Sequence, residues 1–227
     1  MNTSSHSAII AGSTGLIGKA LTQVLISNKG ISHIYALSRR PLGVSSSKLS
    51  VLEHPNLDIP PFKPDDTLPK LGFICLGTTR KQAGSKAALE KIDLDLVVKV
   101  AKQMAESGVR KLAVVSSLGA NPKSFSHYMR CKGKMEEELE AIGFEHITFM
   151  HPGPLVGERE NTRVDEILIQ RVIGAIQPVM RGKLRNYIPI SDREVAVAMN
   201  QVMSKEAISC VERLNSVQIR QIAKTSG

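Results

Sequence analysis

The chain has no tryptophan, three tyrosines and five phenylalanines among 227 residues. So few aromatics argue against the base-stacking surfaces of RNA-binding domains. Cysteine is scarce as well. Cys75, Cys131 and Cys210 are an odd number with wide gaps, giving no disulfide framework and no zinc spacing; a reducing compartment fits. The six histidines, at 6, 33, 54, 127, 146 and 151, show no paired ligand spacing, so no metal site is expected. Met1 to Ser5 are polar and carry no basic region, and the apolar run after them is too short for a signal peptide or a membrane span. A soluble cytoplasmic protein with no membrane partner is the expectation. Oligomeric state leaves no mark in the sequence.

Positive charge is what the chain has in excess. Lysine and arginine outnumber the acids to a net charge of +9. No basic run exceeds two residues, so the surplus is spread out, with some of it available to phosphate-bearing ligands. Nucleic acid is not the expected partner. At 42% hydrophobic the chain can bury a core, and its length suits one domain, 1–227, or one domain with a small appendage.

The stretch Gly12-Ser13-Thr14-Gly15-Leu16-Ile17-Gly18 organises the rest. An apolar run, Ser7 to Ala11, precedes it and reads as a buried strand. Lys19 to Ile26 follows with helical spacing. Strand, glycine-rich turn and helix in that order make a dinucleotide-binding turn. Glycine is needed because a pyrophosphate must approach the backbone, and the helix N-terminus then offers it unpaired N–H groups. The glycines are spaced three and three, a variant that resembles the short-chain dehydrogenase/reductase superfamily.

Further along, Ile31–Ser38, Lys70–Leu76, Lys111–Val115 and His146–Met150 read as strands, with Ser50–Glu53 as a short one. Residues 41–70 hold six prolines and look loop-rich. Ala87–Ser107 and Ser126–Gly143 read as helices. The alternation predicts an α/β, doubly wound parallel sheet (a Rossmann fold) over residues 7–150. After Gly153 the rhythm changes. A helix is expected over Arg163–Ile176, irregular chain over Gln177–Asn186, a short strand at Tyr187–Ile190, and a helix capped by Ser191 or Asp192 through Met203. The tail from Ile208 is too weakly patterned to place, though it could be a further strand.

Tyr128 and Lys132 are four apart on one helix and share a face. A phenol is a poor acid at neutral pH, and a neighbouring ammonium favours its phenolate. Such a pair passes a proton to or from a substrate oxygen while a cofactor carries hydride. Ser116 and Ser117 end a strand, where ligands of open α/β sheets sit, and either hydroxyl could bind the substrate oxygen. Arg39 and Arg40 end the second strand, with no acid between Gly18 and Arg40. An NAD enzyme usually places a carboxylate there for the ribose 2′-OH, whereas arginine pairs with a 2′-phosphate, so NADP(H) is expected over NAD(H).

Together, Cys75-Leu76-Gly77-Thr78-Thr79-Arg80, Ser116-Ser117-x-Gly119-Ala120, Tyr128-x-x-x-Lys132-Gly133 and Pro152-Gly153 resemble the Tat-interacting oxidoreductase family of atypical short-chain dehydrogenases, over about residues 8–200. The resemblance implies NADPH binding and a small C-terminal substrate lobe, here residues 153–207. It implies cofactor contacts from Thr14, Gly15, Leu16 and Ile17 of the turn, and from Arg39, Arg40, Leu76, Gly77, Tyr128, Lys132, Leu155 and Arg163. Two positions depart from the family pattern. His151 stands in place of an arginine before Pro152-Gly153, and Leu16-Ile17 replaces a more polar pair. Arg159, Arg163, Arg181 and Arg185 are either solvated surface or a reader of a carboxylate or phosphate on substrate or cofactor.

The expected activity is an NADPH-dependent oxidoreductase acting on a small carbonyl or alcohol. A dinucleotide-binding regulatory protein without turnover, or an epimerase or dehydratase that retains its cofactor, uses the same residues.

Overall fold

The computed structural model describes residues 6–156, 182–205 and 209–225. Seven strands form one sheet: β1 (His6–Ala11), β2 (Ile31–Ser38), β3 (Leu49–Glu53), β4 (Leu71–Ile74), β5 (Lys111–Val115), β6 (His146–His151) and β9 (Val211–Asn215). Their spatial order is β3-β2-β1-β4-β5-β6-β9, and every pairing is parallel. The order reverses beside β1, so a crevice opens between β1 and β4 at the carboxyl ends of the strands. The doubly wound parallel sheet expected from the sequence is therefore present.

The central strands are buried on both faces, which is why Ser7–Ala11 and Leu71–Ile74 read as continuous apolar runs rather than alternating ones. Two cores result. Helix α1 (Leu16–Ser27), α6 (Asp192–Ser204) and α7 (Ser216–Lys224) cover one face, through Leu21, Leu25, Met199 and Ile219. On the other face lie α4 (Val97–Glu106) and α5 (His127–Glu140), through Val100, Met104, Met135 and Leu139.

Several elements differ from the sequence expectation. The long helix forms as a continuous run of three pieces: α3 (Lys86–Glu90), a π-helical turn (Lys91–Leu96) and α4. A short α2 (Arg80–Ala83) precedes it. The sheet does not end near residue 150, because the weakly patterned tail supplies β9, paired with β6 from Ile147↔Val211 to His151↔Asn215. β9 is an edge strand with only Leu214 buried, so its composition carries little strand signal. A 3₁₀ turn (Gly182–Tyr187) occupies the end of the stretch expected to be irregular, and the short strand expected at Tyr187–Ile190 forms only from Ile190, as β8 (Ile190–Ser191) paired to β7 (Leu155–Val156). Ser191 caps α6 in a reciprocal box with Glu194. The helix expected over Arg163–Ile176 lies outside the described residues, as do Arg159, Arg163 and Arg181. Among the described residues no helix is long and apolar enough to cross a membrane.

Candidate cofactor and active site

The glycine turn is built for close approach. Gly12 has φ +94°, and a Cβ there would meet the Cys75 carbonyl group at 2.7 Å. A Cβ on Gly18 would stand 2.0 Å from the Gly12 oxygen, so the helix could not seat on the turn. The Gly15 N–H donates to the Gly12 carbonyl at 3.0 Å, closing the turn. Gly15 then starts α1 with no side-chain cap and no acid in the first turn, leaving Leu16, Ile17 and Gly18 N–H groups as the positive end of the helix. Ser13 is buried and its hydroxyl has no partner. Thr14 and Gly15 are exposed at the rim. A bare helix start, a cradle that a Cβ would fill and an orphan hydroxyl all fit a phosphate-bearing cofactor.

Beside the turn, a cavity of about 400 Å³ is lined by Gly12, Thr14, Leu37, Ser38, Arg39, Arg40, Leu57 and Leu76. Ser38 Oγ donates to the Arg40 carbonyl at 2.6 Å and fixes the bend after β2. Both arginines are exposed at its edge. Leu57 is an addition to the expected residues. Its φ is +54°, in the left-handed region that a leucine seldom adopts, and it is only 3% exposed. Nothing in the local sequence marks it.

On the other side of the turn, a crevice of about 350 Å³ runs under the ends of β4, β5 and β6. Gly15, Leu16, Ile17, Leu76 and Gly77 form one wall, and Ser116, Ser117, Tyr128, Lys132, Pro152, Gly153 and Leu155 the other. Residues from widely separated segments of the chain thus meet at one opening. Cys75 also lines it, but burial pushes its thiol up to about 12, which leaves it a neutral wall rather than a nucleophile. Gly153 is tied down from the C-terminal side, its N–H donating to Ser216 Oγ at 2.7 Å. Arg220 holds the neighbouring loop by donating to the Ile188 and Pro189 carbonyls at 2.7 and 2.6 Å.

Two buried carboxylates flank the crevice, and sequence reasoning missed both. Lys132 Nζ lies 2.8 Å from Asp93 Oδ1, with the two side chains 2% and 0% exposed. The other Asp93 oxygen accepts the Thr78 N–H at 2.9 Å, and Lys132 also reaches the Val115 carbonyl at 3.4 Å. Asp93 falls in i, i+4 register between the buried Leu89 and Val97, so an acid on the apolar stripe was its available signal. The second carboxylate is Glu136, one turn beyond Lys132 on α5. Ser116 Oγ donates to Glu136 Oε1, which also meets His151 Nε2 at 2.7 Å. Arg213 Nε donates to Glu136 Oε2 at 2.9 Å, and the same guanidinium binds Glu140. Burial raises the Glu136 pKa, but the hydrogen bond and charge of His151, with hydrogen bonds from Ser116 and Arg213, outweigh it and leave the carboxyl below its ordinary value. Arg213 loses by burial and gains more from Glu136 and Glu140, so its pKa is raised. Ser116 therefore faces Glu136, and His151 is part of the same network. Arg185, the one described member of the expected arginine cluster, is exposed on the 3₁₀ turn.

No metal site was expected from the spacing of cysteines or of histidines, each taken separately; the fold brings a mixed set together. His127 and Cys131 are four apart on α5, and with Glu90 at the end of α3 their ligand atoms lie within 4.8 Å of one another.

Residues 66–180 match the family model described as HIM1. "Protein FMP52, mitochondrial" of Saccharomyces cerevisiae is 34% identical over 157 residues, covering 68% of this chain and 68% of that protein. "Protein FMP52-1, mitochondrial" of Scheffersomyces stipitis is 34% identical over 199 residues, covering 86% and 87%. Among solved structures, MoeE5 in complex with UDP-glucose and NAD superposes with a TM-score of 0.66 at 17% identity, over 97% of this chain and 82% of that one. The PhqB reductase domain of Penicillium fellutanum gives 0.63 at 16%, over 93% and 68%. These likenesses show the Rossmann fold. The relatives' mitochondrial names overturn the cytoplasmic location expected from the sequence. The chain belongs to the HIM1 family, with the fungal FMP52 proteins as its relatives.

Proposed function

We propose that the chain is an NADP(H)-dependent oxidoreductase of the short-chain type, acting on a small carbonyl or alcohol in mitochondria. One observation carries the reading: Tyr128, Lys132 and Ser117 line the same crevice as the glycine turn and Gly77. The resemblance of the CLGTTR, Ser-Ser and Tyr-x-x-x-Lys motifs to the Tat-interacting oxidoreductases supports it. So does the likeness to a reductase domain and to proteins solved with NAD, such as MoeE5.

In this reading the cofactor supplies or accepts hydride, and the chain does the rest. The first N–H groups of α1, with Ser13, hold the pyrophosphate. Arg39 and Arg40 would hold the 2′-phosphate, and Leu76 and Gly77 would line the nucleotide's side of the crevice. Leu155 closes the far wall. Arg163, outside the described residues, would add a contact from the 153–207 lobe. Ser117 orients the substrate oxygen, because the Ser116 hydroxyl is held by Glu136. Tyr128 delivers or takes the proton at that oxygen. Lys132 is anchored by Asp93 at the cofactor side of the crevice.

That anchoring also favours a second reading. An ammonium neutralised by a buried carboxylate does less to stabilise a phenolate, and a dinucleotide-binding regulatory protein would need only the binding half. One experiment separates them: NADPH absorbance followed across a broad panel of carbonyl compounds, with NADPH and NADH binding isotherms beside it. Consumption by the wild type, lost in Tyr128→Phe, supports turnover. Tight NADPH binding with no consumption supports the regulator.

A further inference from the structure

We propose that Glu90, His127 and Cys131 form a binding site for a zinc-like divalent ion, on the seam between α3 and α5. The three ligand atoms come from two elements, and the helical spacing of His127 and Cys131 puts both on one face of α5. His127 Nε2 lies 3.4 Å from Glu90 Oε2 and 3.9 Å from Cys131 Sγ. Around a tetrahedral zinc, bonds of about 2.0–2.1 Å to nitrogen and oxygen and about 2.3 Å to sulfur place such ligand atoms about 3.3 and about 3.6 Å apart. These two separations need shifts of only a few tenths of an ångström, and the Glu90 and Cys131 ligand atoms lie within 4.8 Å of each other.

The chemistry of the set selects the ion. Thiolate and imidazole suit a borderline or soft cation, whereas magnesium and calcium want oxygen ligands alone. Cys131 is buried while Glu90 and His127 are partly exposed, so the site has an inner wall and an entry side. Three protein ligands leave the fourth position to water. Glu90 lies three residues before Asp93, and Cys131 directly precedes Lys132. The ion therefore clamps the same two stretches of chain that the Asp93–Lys132 pair joins, and its binding raises the melting temperature. The site stands apart from the dinucleotide reading and is tested without cofactor.

The test is calorimetric titration of the full chain with zinc ions, paired with the absorption spectrum after adding cobalt(II). One zinc per chain and a thiolate-to-cobalt charge-transfer band are expected, with magnesium giving no response. Glu90→Gln and His127→Ala should each weaken zinc binding by about tenfold or more, and Cys131→Ser should abolish the charge-transfer band. Cys210→Ser, which removes an exposed thiol elsewhere, should change nothing. Should Cys131→Ser fail to fold, the variants at the two partly exposed ligands decide the matter. No zinc uptake, uptake indifferent to Glu90→Gln and His127→Ala, or uptake that follows Cys210 would overturn the site.

Discussion

Asp93 and Glu136 are both buried acids beside the same crevice, yet they are neutralised in different ways. Asp93 is buried against one ammonium, and its other oxygen accepts a hydrogen bond from the Thr78 N–H. Glu136 shares its charge among a hydroxyl, an imidazole and a guanidinium, and the last of these is 44% exposed. The first arrangement is all or nothing. If either partner is lost, an uncompensated charge is left in a low-dielectric site. The second is graded, since Arg213 keeps Glu140, the Phe149 ring 5.3 Å away and water when Glu136 is altered. Compact pairs make rigid anchors, and dispersed networks make tolerant ones.

The sharpest way to break this contrast is Asp93→Ala. It strands the Lys132 ammonium and should cost about 3–5 kcal/mol of stability, read by urea unfolding. The double change Asp93→Leu/Lys132→Met should recover most of that loss, because apolar groups of similar size need no counter-charge. If the double variant is as unstable as the single one, the ion pair is not the cause.

Tyr128→Phe probes the opening between the two acids. Turnover should fall about 10²-fold or more while NADPH affinity stays within error, since only the proton-transferring group is removed. Survival of activity on a genuine substrate would remove Tyr128 from the chemistry.

Arg39 and Arg40 supply an exposed counterpart to both buried sites. The Arg39→Ala/Arg40→Ala variant should lose about tenfold or more in NADPH affinity, with NADH affinity little changed. Equal affinities for the two cofactors in the wild type would end the NADP(H) assignment.

Glu136→Gln should lower stability by no more than about 1 kcal/mol, since Arg213 keeps other partners, with a change in the acid limb of the pH profile. The folded pKa of Glu136 is lowered, so its contribution is fully present above the unfolded carboxylate value of about 4.3 and is lost as pH falls through the lower folded value. The variant should flatten that fall. An acid limb identical to the wild type would show that other carboxylates control it.

What the sequence disclosed was local. Gly12, Gly15 and Gly18 are tied to one another within a single turn, and Tyr128 and Lys132 within one turn of α5, so spacing alone revealed them. The adjacent pair Ser116-Ser117 was visible too, but not that one of the two hydroxyls is already held. That depends on Glu136, 20 residues away. Asp93 meets Lys132 and Arg213 meets Glu136 across stretches of chain over which no periodicity operates, 77 positions in the second case. The π-helical turn was hidden for a related reason, because Leu89, Ile92 and Leu96 satisfy an ordinary helical stripe as well as the widened one.

Strand β9 has a kinetic meaning. It takes its place beside β6 only after the chain has run through about sixty intervening residues, from His151 to Val211. Parallel pairing across so long a sequence separation is entropically slow, so this edge should join late in folding. Arg213 rides on that strand and supplies the outer charge of the Glu136 network. Until β9 docks, Glu136 lacks its guanidinium, and the wall that carries Ser116 is held from one side only. Refolding should therefore show cofactor-binding competence at the glycine turn before the crevice beside α5 reaches its native order.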